Sequence, residues 1–215
     1  MRTSSRKVAL LTFDEVDLLD VASVVETLAR SGRHWNFRPF AVELVGLSRG
    51  LVKSRSGPKL EVERDLAECV DPELVIVPGG YGARRLLDDE RAAAWLANAG
   101  SKAECLAAVG SGVLLLGRAG LLEGVNVAGV PDTAALLAPI AAGARVDPER
   151  ALVEHERVIT ARSSSDALDL ALAIVKRTLG AKLADSTARA LGLSVPSVIE
   201  IGGLDVPLPL DADSD

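Results

Sequence analysis

Aromatic, sulfur-bearing and imidazole side chains are scarce in this chain: aromatics make up 3% of 215 residues, with 2 Cys, 2 His and 1 Met. Two cysteines, Cys69 and Cys105, cannot build a disulfide scaffold. No His, Cys or carboxylate cluster has ligand spacing, so no metal site is expected. Neither a G-x-x-x-x-G-K-S/T loop nor a G-x-G-x-x-G fingerprint occurs, which leaves a nucleotide without support, and no cofactor is expected. No apolar run reaches the roughly 18 residues of a membrane span. A basic patch is missing too. The 24 Lys and Arg are dispersed among 30 Asp and Glu, and the net charge of −6 argues against nucleic acid, which needs clustered cations on its phosphates.

What is present is an aliphatic, compact composition: 48% hydrophobic, 25% charged, mean hydropathy +0.26. No Pro/Ser-rich linker divides the chain, so residues 1–192 read as one domain. Residues 193–215 read as a Pro-containing arm, packed on the body or on a second subunit, with a disordered acidic end at Asp211 to Asp215. Met1 to Lys7 is basic, but the apolar stretch Val8 to Phe13 is too short for a signal peptide. The cytoplasm, with both thiols reduced, is the expected compartment.

Lys7 to Phe13 (KVALLTF), Phe40 to Leu47, Leu74 to Val77 (LVIV) and Leu106 to Val109 are apolar stretches of strand length, continuous or nearly so. Continuous runs are the mark of parallel strands covered on both faces. Helical periodicity follows at Val21 to Arg30, Arg84 to Ala97, Val113 to Ala119, Thr133 to Leu137, Asp166 to Leu179 and Lys182 to Leu191. Val52 to Arg64 reads as a hairpin or loop excursion, Val125 to Val130 as a further strand, and Glu154 to Arg157 as a hairpin turn. Pro78, Gly79 and Gly80 end one strand before a helix, and Gly110, Ser111 and Gly112 end another. Strand, glycine turn and helix in alternation predict a three-layer α/β sandwich around a mostly parallel sheet. Ligands of such sheets bind beyond the carboxyl ends of the strands, which points to Asp14 to Asp20, Pro78 to Tyr81 and Gly110 to Gly112 as one site.

The segments VALLTFDEVDLLDV, LVIVPGGYGARRLLDD, AAVGSGVLLLGRAGLLEG and RVITARSSSDALDLALAIVKRTLG resemble, in order and spacing, the ThiJ/PfpI superfamily, the glutamine-amidotransferase-like group, and most closely its isonitrile hydratase-like branch. The resemblance implies a flavodoxin-like fold, a homodimer, a cysteine at a sharp strand-to-helix turn, an acidic residue from the first loop and backbone N–H groups from the PGG turn. Where the family pattern is V-C-T-G this chain has Val109, Gly110, Ser111 and Gly112, so the nucleophile position is Gly110. The usual T-T-H-W stretch corresponds to Ala128, Gly129, Val130 and Pro131, and Gly-Val-Ser-Ala-Gly is replaced by Arg162 to Asp166. Asp20 matches the acidic position. Cys69 and Cys105 lie away from the turn.

Each candidate has two readings. Asp20 is either a helix cap or first-turn acid or the acid/base group. Asp14, Glu15 and Asp17 read as a solvated face, unless one is buried beside Asp20 and raises a carboxyl pKa. Gly79 and Gly80 are a tight turn or an oxyanion site of adjacent N–H groups. Gly110 removes a side chain at the apex and so enlarges the pocket, which either admits a larger substrate or marks decay. Ser111 lacks an activating base and is read as a hydrogen-bonding residue rather than a nucleophile. Tyr81 either lines the pocket or faces solvent. Asp132 either caps the helix after it or supplies a substitute carboxylate. His34 and His155 are expected at the surface. The function expected is a cofactor-independent hydratase, lyase or related proton-transfer enzyme acting on a small organic molecule through Asp20, without a covalent intermediate. The alternative is a non-catalytic small-molecule-binding or regulatory module.

Overall fold

The computed structural model of the chain describes residues 4–32, 38–193, 198–201 and 204–207. The first half runs β1 (Arg6–Leu11), α1 (Leu18–Arg30), β2 (Phe40–Gly46), β3 (Gly50–Lys53), β4 (Lys59–Val62), β5 (Arg64–Asp65), β6 (Leu74–Val77), α2 (Tyr81–Leu86), α3 (Glu90–Lys102) and β7 (Cys105–Val109). The second runs α4 (Gly112–Arg118), β8 (Asn126–Ala128), α5 (Pro131–Leu137), β9 (Arg145–Asp147), β10 (Leu152–His155), β11 (Val158–Ala161), a 3-10 turn (Ser164–Asp166), α6 (Ala167–Leu179) and α7 (Ala181–Ala190). A hairpin of β12 (Val198–Ile201) and β13 (Leu204–Pro207) follows.

Seven strands form one sheet in the order β10-β11-β7-β6-β1-β2-β5. All neighbours pair parallel except the edge strand β10, which runs antiparallel to β11. Every residue of β6 and β7 is buried, as their unbroken apolar runs predict for strands covered on both faces. Helices α1, α6 and α7 pack on one another, α4 packs on α2, α3 and α5, and β7 meets both α4 and α6. The chain steps from β1 outward to β2, then returns across β1 to β6. That reversal opens a crevice beyond the carboxyl ends of β1 and β6, where sheets of this kind hold ligands.

Several expectations are corrected. The single helix predicted over Arg84 to Ala97 is two, because the Asp89 carboxylate accepts the N–H groups of Arg91 and Ala92, at 2.9 and 3.4 Å, and starts α3 afresh. β8 pairs with β9 in a separate two-stranded sheet. The hairpin turn after β10 shrinks to Glu156 and Arg157, since His155 is paired with Val158. His155 is accordingly half-buried in β10, its Nδ1 accepting the Asn126 N–H at 3.3 Å, and not the surface loop residue expected. The C-terminal arm contains the β12–β13 hairpin. His34 and the acidic end at Asp211 to Asp215 lie outside the described residues. Among the described residues no helix is long and apolar enough to cross a membrane.

Candidate functional site

The crevice between β1 and β6 is closed by polar side chains that forgo their local roles. Asp20 stands in the first turn of α1, where an acid ordinarily serves its own helix dipole. Instead its Oδ2 accepts the Gly79 N–H across the crevice at 2.7 Å, and Asp20 is 0% exposed. Its Oδ1 accepts no hydrogen bond among the described residues. Burial pushes the Asp20 carboxyl up to about 6; the nearby Ser164 hydroxyl and the Gly79 N–H pull the other way, and the Asp17 charge adds a smaller push upward. The Ser164 hydroxyl stands near enough to favour the charged carboxylate, yet no hydrogen bond of ordinary geometry reaches Oδ1. The helix-cap reading of Asp20 is therefore replaced by that of a desolvated strut between α1 and the Pro78 to Tyr81 turn.

Ser111 behaves in the same way. It occupies the N-cap of α4 but makes no cap bond; its Oγ accepts the Gly80 N–H at 3.0 Å and donates to the Gly80 carbonyl at 3.0 Å. From the other side the Asp17 N–H donates to the Gly79 carbonyl at 2.9 Å, and Val16 bridges Gly80. Gly80 adopts φ 126, and a Cβ there would run into the backbone of Glu15, Val16 and Asp17. So the Pro78 to Tyr81 turn is packed on both sides, and both of its glycine N–H donors are already engaged within the protein.

The second glycine turn differs. Gly110, half-buried after β7, adopts φ 51, and a Cβ built on it would meet only the Arg162 carbonyl, at 3.8 Å. The carboxyl end of β11 thus brings Arg162 and Ser164 to the site, Arg162 beside the Gly110 apex and Ser164 beside Asp20. Sequence reasoning noted that stretch only as a departure from a pattern, yet its position just past a buried parallel strand is a signal that could have placed it at the site.

At the rim, the β3–β4 hairpin folds over the first loop through Glu15 N–H to Lys53 O at 2.7 Å, Arg55 N–H to Val16 O at 3.0 Å and Lys53 N–H to Asp14 Oδ1 at 2.8 Å. Arg55 thereby lies 4.2 Å from the Tyr81 ring centroid and 3.9 Å from Asp17, while Arg85 pairs with Glu15 at 3.0 Å. Tyr81 is 53% exposed, so it flanks the mouth and does not line the interior. Asp132 is exposed in the first turn of α5 with no side-chain cap bond, and among the described residues no hydrogen bond or ion pair ties it to the Asp20 cluster. Nothing in the sequence signals that Arg55 would reach this rim.

Neither thiol is at the turn. Cys105 opens β7, 1% exposed, its thiol pushed up to about 11 by burial. At about 3.3 Å per residue the strand separates it from Gly110 by roughly 16 Å. Cys69 is buried, and its thiol pKa is raised by that burial. Cys69 lines a different cavity of about 350 Å³, near the amino ends of β1 and β2 with Lys7, Glu43 and Arg64. Among the described residues no group of three His, Cys, Asp or Glu is placed to hold a metal.

The model of the DJ-1/PfpI family matches residues 6–177. Isonitrile hydratase of Pseudomonas putida is 29% identical over 118 residues, 55% of this chain and 49% of that protein, so the chain spans about half the length of this curated relative. A THiJ/PfpI family protein from Pseudomonas syringae superposes with a TM-score of 0.77 at 20% identity, over 99% of this chain and 80% of that one. Drosophila melanogaster DJ-1beta superposes with a TM-score of 0.78 at 18% identity, over 89% of this chain and 100% of that one. At these identities the two structures speak to the fold alone, and they match the flavodoxin-like sandwich expected.

Proposed function

The chain belongs to the DJ-1/PfpI family, and from that premise we propose that it is a thiol-independent hydratase or lyase-type enzyme for a small organic molecule, with Asp20 as its acid/base group. The observation that carries this reading is the Asp20 carboxyl, 0% exposed, poised at about 6, with one oxygen unengaged beyond the strand ends. A carboxyl with that affinity holds its proton in a useful fraction of molecules near neutrality and gives it up readily. The resemblance sets Gly110 at the position of a nucleophilic cysteine, and the two thiols of the chain, Cys69 and Cys105, are buried elsewhere. Asp20 in its acid form donates a proton to the substrate; as a carboxylate it then takes one from the adding water, which restores the acid and forms no covalent intermediate.

For an isonitrile, the proton goes to the terminal carbon, water adds to that carbon, and the proton returned to Asp20 leaves an N-formyl product after tautomerisation. Isonitriles are the first probes because a relative bears the name isonitrile hydratase. A cytoplasmic homodimer that requires no cofactor accompanies the reading, and sedimentation reports the assembly. The test is product formation from a panel of small isonitriles and nitriles by the wild type and by Asp20→Asn. A loss of about 10²–10⁴-fold in the variant is expected. Equal turnover by the two proteins would remove Asp20 from the mechanism.

A second reading, a non-catalytic small-molecule-binding module, is favoured by one specific observation. Asp20 is sealed from solvent, and the Gly79 and Gly80 N–H groups are both engaged internally, so a ligand must open the turn to reach them. Saturable binding without product across the panel would select this reading.

A further inference from the structure

We propose that Ser111 is the positioning residue of the site: its hydroxyl clamps Gly80 and thereby holds the Gly79 N–H on the Asp20 carboxylate. The inference rests on the acid/base reading of Asp20 and adds the device that sets it. A serine at an N-cap ordinarily accepts from the second or third N–H of its own helix. Ser111 makes no such bond and reaches a residue 31 positions away in sequence. One hydroxyl there meets both polar groups of Gly80, accepting from its N–H and donating to its carbonyl, each at 3.0 Å. Two bonds from one atom to one residue fix that residue in rotation as well as in distance.

Gly79 and Gly80 are consecutive glycines, the residues with the widest backbone freedom, and Gly80 adopts φ 126. Left untied on its α4 side, such a turn can swing its N–H groups away from an acceptor. The first loop holds the turn from one side, through Asp17 N–H to Gly79 O, and Ser111 holds it from the other. The same geometry argues against an oxyanion at this spot, because the Gly80 carbonyl points at the atom that its N–H serves. A neutral hydroxyl, which both donates and accepts, is what fits between them.

Of the elements packed around Asp20, its own loop presents Asp17, the turn after β11 presents Ser164 with Asp166 bonded to Ser163, and α4 presents Ser111. Loosening the clamp weakens the Gly79 bond, which favours the charged carboxylate, so the affinity of Asp20 for its proton rises.

The experiment is a ¹³C NMR titration of the Asp20 carboxyl in wild type, Ser111→Ala and Ser111→Thr, with amide hydrogen exchange at Gly79 and Gly80. Ser111→Ala is expected to titrate roughly half a unit or more above wild type, with exchange at both amides about tenfold faster, and Ser111→Thr to restore both. Should Ser111→Ala not fold, Ser111→Cys, similar in volume and a weak donor, replaces it with the same expectation. A titration within about 0.2 units of wild type in the variant lacking the hydroxyl would overturn the clamp, whatever its melting temperature, as would failure of Thr to restore the value. A wild-type carboxyl titrating in the ordinary range of about 4 would sink the acid/base reading itself, which keeps the two failures distinct.

Discussion

The two strand, glycine turn and helix units are built alike in sequence and differ in what surrounds their glycines. In the first, after β6, a Cβ on Gly80 or Gly82 would strike the backbone of the Asp14 to Asp17 loop, and one on Gly79 would press within 3.1 Å of the Asp20 carboxylate. In the second, after β7, a Cβ on Gly112 would likewise strike the Val77 and Pro78 carbonyls, and it is the apex Gly110 that has open space, with a positive φ of 51 as its demand. The comparison separates a glycine required by close approach from one required by backbone angle alone. The first turn is a seam that holds the site together, and the second is the place where the chemistry of the chain is proposed to depart from that of its relatives.

The largest expected effect breaks the seam. Gly80→Ala combines a strained backbone region with overlap onto neighbouring backbone, and is expected to destabilise by at least about 3 kcal/mol in denaturant titration. Gly110→Ala carries only the penalty of a left-handed conformation, about 1–2 kcal/mol. Equal losses in the two variants would erase the distinction. Smaller still is the rim: Tyr81→Ala removes an exposed ring from Arg55, and a change of about 0.5–1 kcal/mol or less is expected from thermal melts. A larger loss would mean that Tyr81 belongs to the seam and not to the mouth.

Much of this arrangement is legible in the sequence. The runs KVALLTF and LVIV identify parallel strands because burial on both faces leaves no polar alternation, and the two glycine turns mark their carboxyl ends. These features also placed Asp20, Gly79, Gly80, Gly110 and Ser111 at one end of the sheet. What stayed hidden is where their hydrogen bonds go. Asp20 in LLDV reads as an ordinary first-turn acid, and only the return of the chain from β2 to β6 brings Gly79 to it. The break at Asp89 was hidden because the apolar spacing runs through it, while a carboxylate decides where the second helix begins. The distance of Asp132 from the Asp20 cluster is equally hidden, because β8 leaves the main sheet, which sequence periodicity does not report.

The central claim, that Asp20 is a desolvated carboxyl whose proton affinity burial raises to about 6, is tested most directly by the unfolding free energies of wild type and Asp20→Asn from pH 4 to pH 8. The folded value of about 6 lies above the ordinary aspartate value of 3.8, so the folded state binds the proton more tightly than the unfolded chain does. The stability this group contributes is full below about 3.8 and is lost as the pH rises through about 6. A shift of this size corresponds to about 3 kcal/mol, which the neutral asparagine does not forfeit. The account predicts that Asp20→Asn gains on wild type by roughly 2 kcal/mol, most of that amount, between pH 4 and pH 8, as expected of a carboxylate kept for function at a cost in stability. A difference that stays flat with pH, or a variant that falls further behind wild type as the pH rises, would contradict it.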